Sequence, residues 1–141
     1  MRIENGVLLS VTNSDIPLDG NFVIPEGVTE IGHDSFSFCY SLTTVTIPDS
    51  VTSIGEYAFY NCSSLKSVKL PKGVIEIGSH AFCGCYSIKS ILIPKGVTEI
   101  GRAAFAGCHS LTTVTVPKGV TEIKKLSFSS CTSLKSVKLP K

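Results

Sequence analysis

Prolines fall at positions 25, 48, 71, 94, 117 and 140, each step twenty-three residues long, and the five intervals between them repeat one pattern. In the copy that starts at Pro48 the apolar slots are Val51, Ile54, Phe59, Cys62, Leu65, Val68 and Leu70, and the other copies fill the same slots with the same kinds of side chain. A period of this length, kept without an insertion, constrains the fold more than any local propensity does. A unit so short cannot bury its own apolar face and must stack on its neighbours, which predicts a solenoid. Recurring slots then become columns along its axis. Phe36, Phe59, Phe82, Phe105 and Phe128 form one such column and are read as core packing, not as a ligand box.

The apolar spacing inside a repeat is neither that of an amphipathic helix nor a long alternation, which argues against helix pairs and against an antiparallel sandwich. Leu42 to Ile47 alternates at its end, is rich in β-branched residues and stops at Pro48, so it predicts a short strand. Residues 51 to 54 predict a second, shorter extended piece. Gly55 and the stretch from Glu56 to Cys62 should turn the chain back in a tight helical or 3-10 turn. Lys124 replaces this glycine in the last copy, so either the site needs no positive φ or the final coil departs there.

Residues 1 to 24 join the register only at Phe22 and Ile24. They predict an N-terminal cap in which Val7, Leu8, Leu9, Val11, Ile16 and Leu18 close the core while Asp15, Asp19 and Asn21 face water. The cap and the five repeats over 25–141 make one domain. With 43% hydrophobic and 17% charged residues in 141, the chain has ample material for a core. Its net charge of +2 hides an asymmetry, because residues 1–70 carry three basic and eight acidic side chains and residues 71–141 carry ten and three. The opening residues hold an apolar run too short for a signal-peptide core or a membrane span, so neither membrane insertion nor secretory routing is expected.

Five of the six cysteines, Cys39, Cys62, Cys85, Cys108 and Cys131, share one slot. Stacked coils bring equivalent atoms to about 4.8 Å, but with parallel Cβ vectors that suit no disulfide. A buried ladder of free thiols behaving as small hydrophobes is expected, and it sits most comfortably in a reducing compartment. Cys83, in a slot held elsewhere by Ser37, Tyr60, Ala106 and Ser129, is the candidate reactive thiol.

The unit L-x-x-[VI]-x-[ILV]-P-x-x-V-x-x-I-G-x-x-A-F-x-x-C-x-x resembles the BspA-like class of leucine-rich repeats, and SLTTVTIPDSVTSIGEYAFYNC and SIKSILIPKGVTEIGRAAFAGC match it almost throughout. Departures are Ser35 and Ser127 at the alanine slot and Lys124 at the glycine slot. The resemblance implies an α/β repeat solenoid, mostly β. It would be a right-handed leucine-rich-repeat superhelix with a parallel sheet on the concave face and short helical or 3-10 turns on the other side. It also implies an adhesion or host-interaction module rather than an enzyme, and no asparagine ladder, because proline holds that neighbourhood.

No constellation reads as catalysis, and no cofactor is expected. His33, His80 and His109 lie eight, nine and fifteen residues after their prolines, too scattered for a metal site, for which the Cys83 and Cys85 pair is the only seed. Cys108 and His109 are adjacent, but one is slotted inward and the other outward, which denies them the reach of a nucleophilic pair. Glu30, Glu76, Glu99 and Glu122 form a column interrupted by Ser53, read as a solvated stripe with no cleft around it.

The outward strand positions are more informative. They hold Thr44 and Thr46, Ser67 and Lys69, Ser90 and Leu92, Thr113 and Thr115, Ser136 and Lys138, with Thr43, Lys66, Lys89, Thr112 and Lys135 at the preceding corner. That face carries five lysines and no acid. It suits an anionic protein patch or an acidic glycan, with Leu92 as the anchor. It lacks the arginine and aromatic residues that nucleic acid would ask for.

Two function classes follow: a protein-binding module, or a structural spacer within a longer array that binds nothing itself. The last repeat, with Leu126, Phe128, Leu134, Val137 and Leu139 and no capping segment after Pro140, is expected to support weak two-fold self-association. The thiols suggest the cytoplasm or delivery into a host cell, whereas the resemblance suggests the cell surface.

Overall fold

The structure, a computed structural model, describes residues 1–124 and 126–138. Leu139 and Pro140, invoked above for the last coil, lie outside the described residues. The strands are β1 (Arg2–Glu4), β2 (Val7–Ser10), β3 (Asn21–Val23), β4 (Glu30–Ile31), β5 (Thr44–Thr46), β6 (Ser53–Ile54), β7 (Ser67–Val68), β8 (Glu76–Ile77), β9 (Ser90–Leu92), β10 (Glu99–Ile100), β11 (Thr113–Thr115) and β12 (Ser136–Lys138). They alternate between two sides of a parallel solenoid. One side is a six-stranded sheet in the order β1-β2-β4-β6-β8-β10, and the other is divided into β3-β5-β7 and β9-β11-β12. Among the described residues no helix is long and apolar enough to cross a membrane.

The pairing is in register with the repeat: Val45 faces Val68, Ile54 faces Ile77 and Val114 faces Val137. Every inward slot therefore meets its own kind in the next coil. Phe36, Phe59, Phe82 and Phe105 are completely buried, with successive rings parallel and 4.8, 5.1 and 5.5 Å apart. Phe22 from the cap closes the column edge-on against Phe36 at 5.5 Å, and Phe128, only partly buried, continues it at 5.6 Å from Phe105.

The third side of each coil differs from the helical or 3-10 turns expected there. Among the described residues the only helical element is a single 3-10 turn, Asn13–Asp15, in the cap. Asp34, Tyr57, His80, Ala103 and Leu126 share one slot and all have φ between 56° and 64° wherever they recur. Four residues further on, Phe38, Asn61 and Ser130 are again left-handed, with Gly84 and Gly107 doing the same in the coils between them. A chain that visits the left-handed region every fourth residue cannot propagate a helix. It makes consecutive tight turns instead. Alternate amides close those turns locally, as Tyr60 N–H does on the Tyr57 carbonyl at 3.1 Å, and the others reach across to the next coil. Tyr57, Phe59 and Asn61 donate to the carbonyls of Ser79, Ala81 and Cys83 at 3.0, 2.8 and 2.8 Å. The turn side is thus a third inter-coil ladder.

The glycine after the second strand has a different purpose. A Cβ on Gly55 would lie 2.8 Å from the Ile31 carbonyl oxygen, and one on Gly78 would lie 2.7 Å from main-chain atoms of Gly55 and Glu56, while neither residue has a positive φ. The slot is glycine because adjacent backbones touch there. Lys124 fits in the last coil because that coil leaves the sheet: β10 is its final strand, and residues 121–124 form none.

The cap adds a hairpin to the six-stranded sheet. Asn5 and Gly6, both with positive φ, turn β1 back antiparallel on β2, and β2 pairs with β4 through Leu8 and Ile31. Of the apolar side chains expected to close the core, Leu8, Val11 and Ile16 are buried and Val7 and Leu9 half-buried, but Leu18 stands fully exposed. It sits between Pro17 and Asp19 in a surface turn closed by Gly20 N–H on the Pro17 carbonyl, which directs no side chain inward. Asn13 takes the place of the phenylalanine and caps main chain instead. Its amide donates to the Phe38 carbonyl at 3.2 Å and its oxygen accepts from Ser41 N–H at 2.9 Å. Asp15 holds the N-terminal ammonium and the Thr12 amide, both at 2.9 Å, and the ammonium beside it lowers its pKa.

Candidate functional site

The cysteine ladder is the most regular chemical feature. All six thiols are free, with Cys39, Cys62, Cys85 and Cys108 buried and Cys83 and Cys131 half-buried. Each ladder thiol donates its S–H to a main-chain carbonyl of the preceding coil: Cys62 to Phe36, Cys85 to Phe59, Cys108 to Phe82 and Cys131 to Phe105, at 3.0 to 3.2 Å. Cys39 does the same to Val11 of the cap at 3.4 Å. Cysteine is therefore a small hydrophobe that also satisfies a buried acceptor. Burial pushes Cys39 up to about 11 and raises Cys62, Cys85 and Cys108 further, so these four stay protonated and inert. Cys83, the candidate reactive thiol, is half-buried, but so is Cys131 of the ladder, and burial raises the pKa of both.

The histidines come closer together than their spacing suggested. His80 shares the slot of Tyr57 and stacks on it at 4.6 Å, His33 lies on the other face of Tyr57 at 5.9 Å, and His109 stacks on Tyr86 in their common slot at 4.9 Å. These are ring stacks rather than a ligand set, and among the described residues no three metal-ligating side chains converge. The two shared slots were legible in the period.

The glutamate column does line a cleft, contrary to the sequence expectation. Glu30, Glu76 and Glu99 of that column, joined by Glu56 from outside it, border a groove of about 470 Å³ on the six-stranded sheet, which Glu122 does not line. Parallel pairing sets Glu76 directly opposite Glu99, and Gly55, Gly78 and Gly101 are also in the lining. Lys124 bonds Glu99 at 2.8 Å, and Arg102 also lines the groove, so the chain supplies counter-charges of its own.

On the opposite side, the outward strand positions align from coil to coil within each three-stranded sheet. Thr44 pairs with Ser67 and Asn21, Thr113 with Ser90 and Ser136, and Thr115 with Leu92 and Lys138. Thr46, Ser67, Lys69, Ser90, Leu92, Thr113, Thr115, Ser136 and Lys138 are exposed, as are the corner residues Lys66, Lys89 and Lys135, while Thr44 is half-buried. One thing is not as expected: β7 and β9 do not pair, and a groove opens between them. A second lysine column, Lys72, Lys95 and Lys118, lies just past the prolines and borders the same rim. This slot, not singled out from the sequence, is acidic in the first two repeats, at Glu26 and Asp49, and lysine in the next three; that switch at a fixed position was the available signal.

Comparison with known proteins fits this architecture. The BspA type leucine rich repeat region matches residues 20–135 in six copies. Among solved structures, the leucine rich repeat protein of T. pallidum is 38% identical with a TM-score of 0.81, over 84% of this chain and 57% of that one. A leucine rich cell surface protein from Faecalibacterium prausnitzii A2-165 is 41% identical with a TM-score of 0.83, over 88% of this chain and 33% of its own. A leucine-rich repeat protein from Bacteroides ovatus is 40% identical with a TM-score of 0.83, over 86% and 34%. The chain thus spans between a third and somewhat over half of the length of these relatives. No curated protein matches. With the period, the stacked phenylalanines and the identities in agreement, the chain belongs to the BspA-type leucine-rich-repeat proteins.

Proposed function

We propose that the chain is a non-catalytic protein-binding leucine-rich-repeat module, used for adhesion or host contact, that engages an anionic partner through the strand face. The observation that carries this reading is charge. Lys66, Lys69, Lys89, Lys135 and Lys138 stand on the strands and their corners, the column of Lys72, Lys95 and Lys118 runs beside them, and no acid occupies the outward strand positions. Exposed lysines of one sign attract an opposite charge at long range and make the encounter depend on salt. Support for a surface setting comes from the Faecalibacterium relative, which is described as a cell surface protein.

The test is retention of partners from host-cell and bacterial lysates by the parent and by the double variant Lys69→Glu, Lys138→Glu. A species held by the parent, lost by the variant and released by salt supports the reading. Equal retention at low salt refutes it. The share of the longer relatives that this chain spans favours a second reading, a spacer within a longer array, and under that reading the parent retains nothing.

A further inference from the structure

Leu92 is 78% exposed at the last position of β9, a slot that holds Thr46, Lys69, Thr115 and Lys138 in the other repeats. An isolated exposed leucine is ordinary. This one separates two grooves. The first, about 460 Å³, opens between the unpaired strands β7 and β9 and has Leu70, Leu92 and Pro94 in its lining. The second, about 520 Å³, lies on the far side and has Leu92, Ile93, Val116 and Pro117 in its lining. Both share Leu92 and Lys95, so they form one trough across three coils at the downstream rim of the strands. Lys69, Lys72, Lys95 and Lys118 stand along it, and no acid lines either groove.

Resting on the anionic-partner reading above, we infer that this trough seats an extended peptide segment of the partner in which acidic and apolar side chains alternate. An extended strand sends successive side chains to opposite faces. Apolar residues then reach the floor on either side of Leu92 while acidic residues turn to the lysines along the edge. An apolar floor beneath a basic edge is what distinguishes this occupant from a sulfated glycan, which would meet the lysines but has nothing to place against Leu70, Leu92 and Val116. The break between β7 and β9 supplies the depth that a continuously paired strand face lacks.

Three labelled probes separate the possibilities by fluorescence anisotropy: a short peptide alternating glutamate and leucine, the same peptide with serine for leucine, and a heparin fragment. Each is titrated into the parent, Leu92→Thr and Lys95→Glu. Leu92→Thr installs the residue that Thr46 and Thr115 already provide in this slot, so the coil is kept, and an unchanged thermal midpoint checks it. The inference expects the glutamate–leucine peptide to bind the parent most tightly and to lose about tenfold or more with Leu92→Thr. The serine peptide should bind weakly and ignore that change, and Lys95→Glu should weaken both. Equal affinity of the two peptides, untouched by Leu92→Thr, overturns the trough but leaves the anionic reading standing, as does binding of heparin alone. Failure of all three probes overturns both.

Discussion

Replacing Phe82 with alanine tests the column on which the stacking rests. The ring is fully buried, parallel to Phe59 at 5.1 Å on one side and to Phe105 at 5.5 Å on the other. Truncating a buried phenylalanine costs about 3–5 kcal/mol, less where the surroundings can collapse. Collapse is resisted here, because the hydrogen bonds that Phe59 N–H and Phe82 N–H donate to the Ala81 and Ala104 carbonyls, both at 2.8 Å, fix the coil spacing above and below. Two stacked pairs, each worth about 0.5–1.5 kcal/mol, disappear together. The loss should therefore fall near the upper end, about 4–5 kcal/mol, lowering the thermal midpoint of a chain this size by roughly 10–20 °C. Phe128→Ala is the internal control. It is only partly buried and has one stacking partner, Phe105 at 5.6 Å, so it should cost about half as much. Urea unfolding followed by circular dichroism gives both numbers. A Phe82→Ala midpoint matching the parent, or equal losses for the two variants, would refute the column as the core.

Gly78→Ala should destabilise by several kcal/mol through main-chain contact at 2.7 Å, whereas Gly96→Ala, whose Cβ would meet nothing closer than 3.6 Å, should stabilise by about 0.4–1 kcal/mol; a matched pair of melts decides. A thiol reagent should modify Cys83 and Cys131 first in the folded protein and reach all six in denaturant, and two or fewer in the unfolded, unreduced chain would contradict the free ladder. The buried thiols have folded pKa values raised above their unfolded ones. Their contribution is complete below about pH 9 and is lost as pH rises, because only the unfolded thiols ionise there. Denaturation midpoints at pH 7 and pH 10 should differ less in Cys62→Ala than in the parent. Ile123 and Leu126 are exposed at the last coil, and weak dimers of the 141-residue chain should appear in sedimentation at high concentration, an idea that a strict monomer removes.

Much of this fold is legible from the period, because a repeat without insertions converts slots directly into columns: the phenylalanines, the thiols and the paired strands all follow from counting. The turn side does not follow. Its first left-handed slot mixes Asp34 and His80 with Tyr57, Ala103 and Leu126, and its second mixes Asn61, Gly84 and Gly107 with Phe38 and Ser130, so no one residue type marks either, and the alternation of local and inter-coil bonds appears only once coils are stacked. The glycine slot was ambiguous for the opposite reason, since close approach and positive φ leave the same mark in sequence. Asn5-Gly6 was a readable hairpin signal in the cap. Of the candidate site, the outward lysines were visible, but the trough was not, because its first groove depends on β7 and β9 failing to pair.

Three ladders of inter-coil bonds also fix how the molecule answers to force. Pulled from its ends, a coil can detach only by opening its contacts with one neighbour, since apart from tight turns it has few backbone bonds within itself. Extension should then proceed by whole coils, each freeing twenty-three residues. At about 3.3–3.6 Å per residue that is a contour length of roughly 76–83 Å per event. A chain tethering two bodies would lengthen in steps under load and rewind when the load is removed.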